Sequence, residues 1–140
     1  MREILFKAKR IDNGEWFEGY YQKRYDLLGN EEHLIFHADS YKVWEYAEIV
    51  PETICQFTGL FDKNGNKIWE NDIVKTVSDI YAPVKFGLYT TGFTLEECNQ
   101  GFYVDFSDET YLRHELGYWN NKVEIKGNIF DNPDFTGGIR

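Results

Sequence analysis

Two histidines, His33 and His37, enclose the apolar run Leu34-Ile35-Phe36. On a helix this spacing would stack both imidazoles on one face, where they could hold a metal ion. On a strand it separates them by roughly 13 Å at about 3.3 Å per residue, too far to share one ion. The apolar run favours the strand, and no His-Glu-x-x-His pattern is present. The expectation is an ordinary strand with two exposed imidazoles and no metal. A second candidate is Asp62-x-Asn64-x-Asn66, which has the opening ligand spacing of a Ca²⁺ loop. Lys67 stands where that loop needs its turn glycine and Ile73 where it needs its bidentate Glu, so a turn without calcium is expected.

Carboxylates come in adjacent pairs at Glu31-Glu32, Glu96-Glu97 and Asp108-Glu109. Neighbouring acids point apart, and those at helix starts already have a structural use on the positive end of the dipole. His114 beside Glu115 lacks a visible nucleophile, since neither a Gly-x-Ser-x-Gly elbow nor a Cys-His signature occurs. No Gly-rich phosphate-cradling fingerprint is present either. Asp72 could serve as a base or ligand, but an acid following Asn71 at a strand start more often bonds local backbone in a turn. The residues therefore predict no enzyme, no cofactor and no small-molecule substrate.

Composition narrows the class. The 140 residues carry 15 basic and 24 acidic side chains, a formal charge of −9. The acidity is shared: 7 basic and 11 acidic residues lie up to residue 60, and 8 and 13 beyond it. Such a surface repels phosphate backbones and argues against general nucleic-acid binding, leaving only a local basic-aromatic patch at Lys7, Lys9, Arg10 and Trp16 as an exception. Ten Tyr, eleven Phe and four Trp make the chain 18% aromatic, which favours strands and leaves rings over for an interface. Cys55 and Cys98 lack metal-ligand spacing. The charged opening has no apolar signal core, so two reduced thiols in a cytoplasm are expected. No run reaches the length of a membrane span.

The elements that must position these residues read as short strands. Glu3 to Ala8 and Glu15 to Gln22 flank Ile11-Asp12-Asn13-Gly14 as a hairpin, and both show period-two alternation. A polar connection, Tyr25 to Glu32, leads to the histidine strand. Tyr41 to Val50 follows, and Pro51 to Ile54 makes a turn before Cys55-Gln56-Phe57. Asn64-Gly65 predicts a tight type I′ hairpin that brings Leu60 and Phe61 against Ile68 and Trp69. Asp72 to Val77, Pro83 to Thr90, Gly101 to Phe106 and Lys122 to Phe130 read as further strands. Helices are expected at Thr94 to Asn99, from a capping box, and at Ser107 to Gly117, capped by Ser107 and stopped by Gly117. The fold class is mainly β with one or two short helices. An N-terminal hairpin and sheet are followed by a strongly bent C-terminal sheet or SH3-like partial barrel. The chain is read as a single domain, 1–140, with a subdivision at 1–57 and 58–140.

The run from Gln56 to Val74, Gln-Phe-Thr-Gly-Leu-Phe-Asp-Lys-Asn-Gly-Asn-Lys-Ile-Trp-Glu-Asn-Asp-Ile-Val, resembles the central signature of the YopX family, small proteins of phages and prophages of Gram-positive bacteria. The opening Arg2 to Ala8 and the closing Lys126 to Asp134 agree with it, so the resemblance spans the chain. Asn71 stands where that family usually has Gly, and it retains access to left-handed φ. The resemblance implies a mainly β fold and transfers no activity.

The functional expectation is a cytoplasmic, non-enzymatic protein-interaction module that also self-associates, with Phe61, Trp69, Trp16 and Tyr20 as candidate interface residues and Asn64, Gly65, Asn71 and Asp72 as structural turn residues. An acidic decoy of a host nucleic-acid enzyme is the first alternative. A small metal-dependent hydrolase using His33, His37 or Asp72 is the second.

Overall fold

The computed structural model describes residues 4–38, 41–90, 98–106, 111 and 113–134. The chain divides into two compact units, Met1–Phe57 and Thr58–Arg140.

In the first unit β1 (Phe6–Lys9), β2 (Trp16–Tyr25), β3 (Glu31–Ala38) and β4 (Trp44–Glu48) are antiparallel neighbours in the order β4-β3-β2-β1. The far side of β1 pairs with the start of β5 (Cys55–Phe61), Lys7 opposite Cys55. Alternation along the strands sends Ala8, Ile35 and Ile49 into one core, with Phe6, Phe17, Tyr21 and Ile54 packed around it. Each of the two buried isoleucines contributes about 1.5–3 kcal/mol relative to exposure. The 3₁₀ turn Pro51–Thr53 is pinned to β1 by one hydroxyl: Thr53 Oγ1 accepts from Lys9 N–H at 2.9 Å and donates to Val50 O at 2.7 Å.

In the second unit β5 runs on into a hairpin with β6 (Lys67–Trp69). β7 (Asp72–Lys75), β8 (Tyr81–Thr90), β9 (Cys98–Val104) and β10 (Glu124–Asn128) form a four-stranded antiparallel sheet in the order β10-β7-β8-β9. Its register shifts between Ile125 and Gly127. Ile68, Val74, Val84, Val104, Leu116, Trp119 and Val123 build its core. The unit is mainly β as expected, and among the described residues neither sheet closes into a complete barrel.

Three hairpins are closed by one device. In Asp26 to Asn30 and in Asp62 to Asn66, the aspartate Oδ1 accepts two backbone N–H groups, from Leu28 and Asn30 and from Asn64 and Asn66, each at 2.9 Å. The fourth residue is a glycine at positive φ, Gly29 at 85° and Gly65 at 84°. Thr76 to Ile80 repeats the pattern with the Thr76 hydroxyl as acceptor and Asp79, φ 62°, in the glycine position. The type I′ expectation at Asn64-Gly65 is corrected by this geometry. Gly65 N–H bonds to Asp62 O at 3.0 Å and Asn64 is not at positive φ, so the turn is type I with glycine in the following left-handed position.

The helix expected over Ser107 to Gly117 is also corrected. Residues 107–110 and 112 lie outside the described residues. Beyond them the chain is extended: Val104 N–H bonds to His114 O at 2.9 Å, and Glu115 bridges Tyr103. Sheet bonds thus claim the backbone that the helix needed. The helix that does form, α1 (Leu116–Trp119), begins where the other was to end, with Gly117 inside it. Residues 94–97 of the other expected helix lie outside the described residues, and Cys98 and Asn99 belong to β9.

Candidate functional site

Register decides which rings meet. Tyr20 on β2 stands opposite Phe36 on β3, and Phe36 opposite Tyr46 on β4, so one row crosses three strands. Trp44 lies two residues from Tyr46 and shares its face, because strand side chains alternate with a period of two. The Tyr20 and Trp44 ring centroids are 6.2 Å apart, and those of Phe36 and Tyr46 are 5.5 Å apart. The opposite face of the same strands carries buried Ile35 and Ala47, which anchors the row in the core. Tyr20, Trp44 and Tyr46 nonetheless keep 49%, 58% and 58% of their surface exposed.

Two shallow grooves meet at this row. One, of about 470 Å³, is lined by Tyr20, Tyr21, Gln22, Phe36 and Trp44. The other, of about 340 Å³, lies among Leu5, Glu18, Gly19, His37 and Ala38, again with Tyr20 and Trp44 at its rim. Gly19 is fixed by the close approach of β3: a Cβ there would sit 2.0 Å from Phe36 O. The charges around the row are mixed. Arg24 lies over the Tyr46 ring at 5.6 Å and pairs with Glu32 at 3.6 Å, while Lys7 lies 4.7 Å from the Trp16 ring.

The histidines do not converge. Tyr21 Oη lies 2.6 Å from His33 Nδ1, with the two rings stacked at 9°; as donor, that hydroxyl leaves the Nε2 hydrogen facing Glu31 Oε2 at 3.4 Å. His37 Nδ1 donates to Glu18 O at 3.0 Å, and its ring tilts against Phe17. No group of three His, Cys, Asp or Glu side chains is placed to hold a metal ion among the described residues.

The carboxylates of the turn region serve the backbone. Besides its two turn bonds, Asp62 accepts from Ile125 N–H through Oδ2 at 3.1 Å. Burial pushes its pKa up, but the donors from Asn66, Ile125 and Asn64 prevail and hold it below the ordinary carboxylate value. Asp72, buried, accepts from Trp69 N–H at 2.9 Å, and Asn71 before it sits at φ 72°. Cys55 is a buried thiol that donates to Thr53 O at 3.3 Å.

Of the four aromatics expected at an interface, Tyr20 joins the exposed row and Trp16 lies half-buried beneath Lys7 and Lys9. Phe61 is 45% exposed. Trp69 is corrected: it is buried, 5% exposed, on the face of β6 opposite to that of Ile68. Sequence reasoning missed Phe36, Trp44 and Tyr46. The signal that could have found them was the register set by the Asp26 to Asn30 turn, which aligns residue 20 with residue 36.

The fold and this surface define an antiparallel β-sheet protein with an exposed aromatic face. The family model for YopX protein matches residues 5–135, and the chain belongs to the YopX family. No curated protein matches the chain. Among the described residues, no helix is long and apolar enough to cross a membrane.

Proposed function

We propose that this chain is a non-enzymatic interaction module of phage or prophage origin, acting in the cytoplasm of the bacterial host, that engages a protein partner through the aromatic face of β2, β3 and β4. The observation that carries this reading is the row Tyr20, Phe36 and Tyr46 with Trp44 beside it, ordered by strand register, in which Tyr20, Trp44 and Tyr46 stay exposed and Phe36 is half-buried between them. Tyr and Trp are the side chains most enriched among residues that dominate binding energy, and a row seated on a packed sheet loses little freedom when covered. The YopX resemblance to small phage proteins supports the origin and the compartment.

The test compares the chain with its Tyr20→Ala/Trp44→Ala/Tyr46→Ala variant, captured from lysogenic cells. Both proteins must first show the same thermal unfolding transition. The reading requires a co-purifying protein that is lost with the triple variant and retained with Phe61→Ala. Retention by the triple variant would refute it.

A further inference from the structure

β4 ends the order β4-β3-β2-β1, so one side of its backbone looks away from the sheet. In an antiparallel ladder the N–H and C=O of one residue point to one side, and those of the next residue to the other. Ile49 N–H bonds inward to His33 O at 2.9 Å, while Glu48 O is turned outward and accepts from Ile11 N–H at 3.0 Å. The alternation therefore turns the N–H and C=O groups of Tyr46 and Trp44 outward as well. Past Glu48 the edge is closed by Val50 N–H to Lys9 O at 2.8 Å and by the Arg10–Ile49 bridge. From Trp44 to Ala47 no described strand pairs with it. This open edge is short, which limits it as a template for indiscriminate pairing.

Its side chains specify what would fit. Trp44 and Tyr46 stand on the aromatic face, and Glu48 shares that face by the same alternation. Glu45 points to the other side. Both glutamates are exposed and form no ion pair among the described residues. Arg10 feels Glu45 only at longer range, because its guanidinium is taken by Asp12 at 2.7 Å.

We propose that the β4 edge accepts an extended, basic segment of the partner protein as an added strand. Its main chain pairs with Trp44 and Tyr46, alternate apolar side chains lie against those two rings, and Lys or Arg side chains face Glu45 and Glu48. A second copy of the chain fits less well, since it brings its own Glu45 and Glu48 and a charge of −9 to the same edge. The proposal rests on the aromatic-face reading and adds to it the mode and charge of the occupant.

The experiment titrates the intact chain into a fluorescein-labelled peptide, Lys-Thr-Val-Lys-Val, at low salt, and follows amide exchange by NMR. Replacing both Lys of the peptide by Glu, or N-methylating both Val, should weaken binding by roughly tenfold or more, the equivalent of about 1.4 kcal/mol. Glu45→Lys/Glu48→Lys in the chain should weaken it by a similar factor, and the Trp44 and Tyr46 amides should gain exchange protection on binding. No measurable binding of the Lys-Val peptide overturns the edge proposal. Equal binding of the N-methylated peptide also overturns it; if Trp44→Ala still abolishes that binding, the aromatic-face reading stands alone. Binding that survives Trp44→Ala/Tyr46→Ala sinks both readings. Protection of the Trp44 and Tyr46 amides in the unliganded chain, together with a dimer mass, would assign the edge to a second copy instead.

Discussion

The carboxylate of Asp62 accepts a hydrogen bond from the Ile125 backbone N–H at 3.1 Å, across 63 residues of chain. The same side chain closes its own turn by accepting from Asn64 and Asn66, so one buried group fixes a hairpin and ties it to the start of β10. Asp62→Ala leaves three donors without their charged acceptor and should cost about 3 kcal/mol of unfolding free energy. Asp62→Asn, which keeps one acceptor oxygen, should cost about half of that. Urea denaturation of the three proteins measures both.

The same contact sets a pH dependence. Because the folded protein holds Asp62 below the ordinary carboxylate value of 3.8, its contribution is complete above that value and is lost as pH falls through the lower, folded one. Stability measured between pH 6 and 2, roughly the span over which carboxylates protonate, should fall less steeply for Asp62→Asn than for the parent protein. Parallel curves would show that the carboxylate's charge does not contribute.

Gly19→Ala should be among the most disruptive single-methyl changes in the chain. The added carbon would meet Phe36 O, a backbone atom of the neighbouring strand that cannot step aside. A loss of about 3 kcal/mol is expected. Gly117→Ala, in α1 with open space around the same position, should be neutral or slightly stabilising. Thermal unfolding of the pair tests this.

A Cβ added at Gly65 would meet nothing within 4 Å, so a substitution there reports backbone conformation alone. At φ 84° Gly65→Ala should lose about 1 kcal/mol. Gly65→Asn should lose less, because short polar side chains tolerate this region; Asp79 already occupies the equivalent place in the third turn. Equal losses for both substitutions, read from their urea midpoints, would contradict the assignment of one shared turn device.

What the sequence made legible follows from which forces are local. Alternation in β2 and β3 and the Gly-containing turns placed nearly every strand, since period-two patterning and turn chemistry act within a few residues. The Asp-x-x-Gly-Asn repeat at residues 26–30 and 62–66 is equally local, but the Asn-Gly pair inside its second copy suggests the wrong turn type when the aspartate is ignored. His114 and Glu115 failed for the opposite reason: the helix signals around them were local, but long-range pairing with β9 outweighed them. The aromatic face needed register across three strands, and no single segment displays that. Trp69 and Phe61 are eight residues apart at one turn, yet one is buried and the other exposed, a difference made by packing alone.

A photoreactive benzophenone side chain placed at residue 44 or at residue 88 tests the central claim most directly. Trp44 stands in the exposed row, whereas Leu88, 70% exposed on β8, is equally open but belongs to the other sheet. Irradiated in lysogenic cells, the probe at 44 should form a covalent adduct with a partner protein and the probe at 88 should not. An adduct from 88 with none from 44 would place the binding surface elsewhere and contradict the account.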